Sequence, residues 1–217
     1  MSLIPNAFLF ESQQAIRKLP KKPARRSALK LLSKKYAIET LQHLDGTDSF
    51  ATVALGWHDE GLQMSCRVVG KKQPLVCAAD KLTTTDGLQI WIDTRNTPGV
   101  HRANRFCHQI VALPSGGGKN QTEPHVQQVE IARCREKSPL ADDGQFWITG
   151  DVRADGYDLN LWIPADALNG YDPEGSPVCG FFYAVRDAEL GQQTLCVGDE
   201  FPFASDPSLW QSIELVE

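Results

Sequence analysis

The chain has 217 residues, 41% of them hydrophobic and 23% charged, with a formal net charge of −5. This composition excludes a disordered chain, and no apolar run approaches the ~20 residues that a membrane-crossing helix needs. The acidity argues against a whole-protein nucleic-acid footprint, and the length suits one large domain, or a domain with an arm, that needs no disulfide to fold.

Charge is unevenly distributed. Residues 1–35 hold nine Lys/Arg and one acid, Glu11, whereas the remainder holds 13 Lys/Arg and 26 acids. A basic arm of this kind suits phosphate or an anionic membrane, or it docks on its own acidic domain or stays solvated. A mildly apolar stretch over residues 1–10 precedes the basic residues, the reverse of a secretory signal. The six cysteines include no Cys-x-x-Cys pair. These two features together predict a cytoplasmic, reducing setting with unpaired thiols.

Residues 24–36, ARRSALKLLSKKY, place Leu29, Leu32 and Tyr36 at spacings of three and four, which predicts a short amphipathic helix. From residue 50 the period becomes two. Strands are predicted over 50–57, 61–69, 87–94, 106–113, 126–132, 146–152, 157–163, 180–187, 194–197 and 211–216. His58-Asp59-Glu60-Gly61 and Ala154-Asp155-Gly156 read as tight hairpin turns. No long helical pattern separates the strands, so the expected fold is all-β: a two-sheet antiparallel jelly-roll sandwich over residues 38–217, with residues 1–37 as an arm.

Two long loops are expected. PSGGGKNQTEP, residues 114–124, lacks the Ser/Thr and the following helix of a phosphate loop and reads as a flexible connection. GDEFPFASDPSL, residues 198–209, carries Phe201 and Phe203, which either close one end of the core or line a ligand cleft.

In the segment DGLQIWID, residues 86–93, Leu88, Ile90 and Ile92 share one face and Gln89, Trp91 and Asp93 the other. A flat ring beside an amide and a carboxylate suits a sugar, whose C–H face packs on the ring while its hydroxyls take hydrogen bonds; a covering arm or strand over Trp91 is the competing reading. The polar cluster HRANRFCH, residues 101–108, matches no standard zinc spacing, so Arg105 and His108 read as groove-lining groups. Arg186 or Tyr183, of opposite parity, approaches the same groove, and Phe203 supplies a late-loop aromatic. There is no G-x-S-x-G, H-E-x-x-H or catalytic-cysteine signature.

Several ordered segments are similar to the family-nine carbohydrate-binding modules and the wider group of DOMON-like sandwiches. They are GWHDEGL at 56–62, DGLQIWID at 86–93, GYDLNLWIP at 156–164, GFFYAVRD at 180–187 and DPSLW at 206–210. The whole chain also resembles a group of bacterial proteins of planctomycete type, a resemblance that implies no activity. The family resemblance implies a sandwich that binds saccharides, often by stacking on Trp, in members that are usually secreted and attached to a glycanase. It places the family's binding Glu at Gln89, the Glu of its Ile-Pro strand at Asn160 and its late aromatic at Phe201 or Phe203. It allows a structural calcium ion held by Asp/Asn-rich turns and implies no other cofactor.

The expected function is non-catalytic saccharide or glycan binding, with Gln89, Trp91, Asp93, Arg105, His108, Arg186 and Phe203 as ligand contacts. An interaction or scaffold domain that kept the fold and lost the sugar site is the alternative, and a carbohydrate-active hydrolase the more distant one. The partners expected are a saccharide and a protein, with no nucleic acid and no membrane span.

Overall fold

Period-two alternation of β-branched and aromatic residues builds two facing sheets. The computed structural model describes residues 6–9, 12–142 and 144–217. Eleven strands occur among them: β1 Gln13–Arg17, β2 Ala51–His58, β3 Gly61–Val69, β4 Gly87–Asp93, β5 Cys107–Gly117, β6 Glu123–Val129, β7 Trp147–Arg153, β8 Gly156–Pro164, β9 Val178–Asp187, β10 Gly191–Thr194 and β11 Gln211–Val216. The larger sheet runs β1-β11-β9-β4-β5-β6, with β10 also on β9, and the smaller runs β2-β3-β8-β7. All pairings are antiparallel except β1 with β11, which is parallel and qualifies the expected antiparallel sandwich.

The inner face of the smaller sheet carries Val53, Leu55, Leu62, Met64, Cys66, Leu159, Leu161 and Ile163, all buried. It meets Leu88, Ile90, Ile92, Ile110, Phe181, Tyr183 and Val185 of the larger sheet in one apolar cluster. The Asp155-Gly156 turn joins β7 to β8 as expected, and a Cβ on Gly156 would collide with the Val68 carbonyl oxygen.

The arm corrects two expectations. Residues 24–36 form no amphipathic helix but two short 3₁₀ turns, Arg26–Ala28 and Lys34–Tyr36, joined by extended chain. Leu29 and Tyr36 are nonetheless buried, with Leu19, against Ala54 and Trp162 on the outer face of the smaller sheet. Gly56 makes room for them, since a Cβ there would lie 2.7 Å from Leu19 Cδ2. Apolar spacing of three and four is also met by a chain crossing a sheet, and here the sheet supplied the packing partner. The arm also contributes β1, whose Ile16 joins the main core.

Smaller shifts follow the same logic. The expected flexible loop at 114–124 is largely strand: β5 continues to Gly117, a turn follows, and β6 begins at Glu123 rather than 126. β10 ends at Thr194, where a strand over 194–197 was expected. No disulfide links the six cysteines, and burial pushes the Cys66 thiol up to about 12.

Candidate functional site

The row Gln89, Trp91, Asp93 lies on the outer face of β4, as parity requires, but the chain's own loops cover it. Trp91 is only 1% exposed. Its indole stands edge-on to Phe182 at 6.0 Å and to Phe203 at 5.4 Å, and Phe203 stacks on Phe182 at 4.6 Å. Gln89 is buried, donating to the Thr83 carbonyl at 3.0 Å. Asp93 accepts the Arg95 and Thr97 amides at 3.0 and 3.2 Å, and burial raises its carboxyl despite those bonds. Phe203, from the late loop, is buried as the lid of this cluster. The face read as a sugar platform is therefore a second packed layer.

The remaining expected contacts disperse. β5 does pair with β4, but His108 sits opposite Ile92 and so points to the inner face, away from Trp91. Its Nε2 lies 3.3 Å from the Asn169 carbonyl, and Nδ1 accepts from the Gln128 amide at 3.0 Å. Burial pushes this imidazole down to about 4, with the Asn169 carbonyl opposing, so it stands neutral in a polar pocket of the core. Arg105 is exposed, 5.0 Å above the Phe106 ring and 3.9 Å from Glu136. Arg186 does share the outer face of Trp91, while Tyr183 faces inward; its guanidinium is clamped by Asp199 at 2.9 and 3.0 Å. Asn160 lies beneath the arm, bonded to Ser65 and Thr149.

An open cleft of about 590 Å³ lies beside the buried row. Asp93 pairs with Gly180, and Gly180 with Ser212, so along this row of the outer face the side chains become small. The cleft is walled by the 96–101 loop after β4, by the 196–210 loop and by the first residues of β11. Phe8 stacks on Phe201 with ring centroids 4.7 Å apart and planes 16° off parallel, giving an apolar wall; Phe8 is 44% exposed.

Polar groups stand fixed around that wall. Asp206 caps the 3₁₀ turn Pro207–Leu209, accepting from the Ser208 amide at 3.0 Å and the Ser208 hydroxyl at 2.6 Å. His101 Nδ1 lies 3.2 Å from Asp206 and 3.0 Å from Ser208. Asn96 adopts φ +44°, a region Asn tolerates, and donates to the Ser212 hydroxyl at 2.9 Å. Gln211 Oε1 accepts from the Ser12 amide at 2.8 Å. The Ser–His–Asp trio is not a hydrolase triad: serine and aspartate meet the same imidazole nitrogen, so the ring cannot relay a proton between them.

None of the seven expected contacts lines this cleft. Phe201, weighed together with Phe203, does; Phe8, Asn96 and Ser212 were not singled out, and Asp206 and Ser208 stood only within the DPSLW motif and not as contacts. The signal available was the presence of a second aromatic in Phe-Pro-Phe, in a turn-rich loop where strand parity does not hold.

Among the described residues no three His, Cys, Asp or Glu side chains converge as a metal set. The deepest pair of carboxylates, Asp86 and Asp187, does not fit a calcium ion. The Lys71 ammonium already bridges them, at 3.2 Å from Asp86 and 2.7 Å from both oxygens of Asp187.

No sequence family and no curated protein matches the chain. Solved structures do. A family 9 carbohydrate-binding module from Caldicellulosiruptor kristjanssonii in complex with cellotriose matches at TM-score 0.53 and 13% identity, over 94% of this chain and 93% of that one. The module with glucose matches at 0.53 and 15%, over 94% and 96%. The fold is that of the family 9 modules. A candidate carbohydrate-binding protein from Bacteroides uniformis matches at 0.55 and 11%, over 94% and 100%. The family-nine resemblance of the ordered motifs thus extends to the whole architecture, including the arm, since 94% coverage must reach into it.

Proposed function

We propose that this chain is a non-catalytic saccharide-binding module whose site is the Phe201 cleft rather than the Trp91 row. One observation carries the reading: an accessible aromatic wall, Phe8 on Phe201, faces fixed hydrogen-bonding groups of Asn96, His101, Asp206 and Ser208 in a cleft of ligand size. A pyranose offers a C–H face to the ring and hydroxyls to the polar groups. The likeness to modules solved with cellotriose and glucose supports the same class of ligand.

Calorimetric titration with cellotriose and glucose tests this. The expected dissociation constant is micromolar to millimolar, about −4 to −8 kcal/mol. Phe201→Ala should weaken it at least about tenfold, about 1.4 kcal/mol, with the melting temperature nearly unchanged because the ring is only partly buried. A second reading, an interaction domain without a sugar site, draws on the filled Trp91 face. Absence of heat with any mono- or oligosaccharide at millimolar concentration would leave that reading in place.

A further inference from the structure

We infer that the N-terminal arm forms a second, independent binding surface, one for a thin acidic polysaccharide chain. The arm leaves β1, bridges Trp57 of β2 through Lys18, and crosses the outer face of the smaller sheet to β7, where Arg26 Nε donates to the Ile148 carbonyl at 2.6 Å. It returns over β3, where Gln63 donates to the Lys30 carbonyl at 2.9 Å and the Leu32 amide to Ser65 Oγ at 3.0 Å. It ends against β2, through the Ala37–Ala54 bridge. The excursion is a loop laid flat on a sheet and pinned by its own apolar residues.

Those pins set the direction of its charges. Leu19, Leu29 and Tyr36 point into the sheet, and nine Lys/Arg occupy residues 17–35 without one acid among them. Lys18 is neutralised by Asp59 and Glu217, and Lys22 by Glu60. Arg17, Lys21, Arg25, Lys30, Lys34 and Lys35 are exposed, and no ion pair involves them among the described residues. In a chain whose other residues carry twice as many acids as bases, local pairing could have cancelled them. Instead a backbone held at both ends and across its middle keeps five of these charges, Lys21, Arg25, Lys30, Lys34 and Lys35, exposed along the loop that lies over the smaller sheet. Repulsion makes that arrangement costly in isolation, and a polyanion relieves it with little further ordering of the main chain.

The surroundings choose among polyanions. No large apolar side chain of residues 12–38 is among the exposed ones, so the arm has no anchor to enter a bilayer and no ring of its own on which a base could stack, and the neighbouring half-buried Trp147 already has the Lys22 ammonium 6.0 Å from its ring. Asp59, Glu60 and Glu217 border the arm, and a duplex broad enough to cover it would press its phosphates on them. A single acidic glycan strand can follow the loop between these acids, its sulfates or carboxylates taking the ammonium and guanidinium groups.

The test is binding of the full chain to heparin by calorimetry at about 0.05 M and about 0.15 M salt. The expected result is measurable binding that weakens with salt. A variant with Lys21, Arg25, Lys30 and Lys34 each changed to Gln should bind at least tenfold more weakly at low salt, with an unchanged melting temperature. Phe201→Ala should bind heparin as the parent does, which separates this surface from the cleft. Equal heparin binding by parent and quadruple variant, or none by the parent at low salt, would overturn the inference. So would tighter binding to single-stranded or duplex nucleic acid, or to phosphatidylserine vesicles, than to heparin at matched charge concentration.

Discussion

The Trp91 cluster and the Phe201 cleft sit on one face of one sheet, each with aromatic rings beside polar groups, yet one is interior and the other is an open cleft. Trp91 stands edge-on to Phe182 and Phe203, which stack on each other, so no ring face remains for a ligand. Phe201, two residues from Phe203, faces the cleft and, among the described residues, stacks on the half-open Phe8. An aromatic on a polar strand face is thus no evidence of a platform until the covering loop is known. Where Gly180 and Ser212 follow, the cover lifts and the floor is low enough for a ligand.

The sharpest way to break this contrast is to truncate the buried ring. Trp91→Ala should destabilise the fold by about 3–5 kcal/mol through the cavity it leaves, read from chemical denaturation. A loss below about 1 kcal/mol accompanied by lost saccharide binding would return the site to the Trp91 row.

A somewhat smaller effect separates the inner face from the outer. Native His108 stays neutral down to about pH 4, whereas the unfolded side chain takes its proton near 6.5. Between those values the unfolded chain binds the extra proton, so stability is full above about 6.5 and declines as pH falls toward 4, by roughly 2–3 kcal/mol. Asp93, whose carboxyl is raised, acts with the opposite sign near the lower end of that window. In His108→Gln the decline over that window should largely disappear in denaturation curves taken at several pH values. An undiminished decline would mean that other groups carry it.

Much of the fold was legible because buried strands write their period plainly. β3 and β11 occupy the predicted residues, and the Asp155-Gly156 turn joins the strands it should. β1 was invisible: in Gln13–Arg17 only Ile16 is buried, so no alternation marks it, and its partner β11 lies some 200 residues on. The arm misled for a different reason, since Leu29, Leu32 and Tyr36 meet a helical period while Leu29 and Leu32 pack from extended chain and only Tyr36 from a 3₁₀ turn. For the site, parity correctly grouped Gln89, Trp91, Asp93 and Arg186 and correctly opposed Tyr183. What covers a face is decided by loops outside the strand, here Thr83 just before β4 and Phe203 in the late loop, and period two carries no trace of them. The cleft was less legible still, because Asn96 and His101 meet Asp206 across two loops about a hundred residues apart.

The central claim is that saccharide contacts the Phe201 cleft and leaves the Trp91 row untouched. A cellotriose titration followed by solution NMR tests it residue by residue. The account predicts shifts of the Phe201 and Phe8 ring protons and of the Ser208 and Ser212 amides, with the Trp91 indole N–H unmoved. Movement of the Trp91 indole and the Gln89 side-chain amide, with the cleft silent, would contradict it.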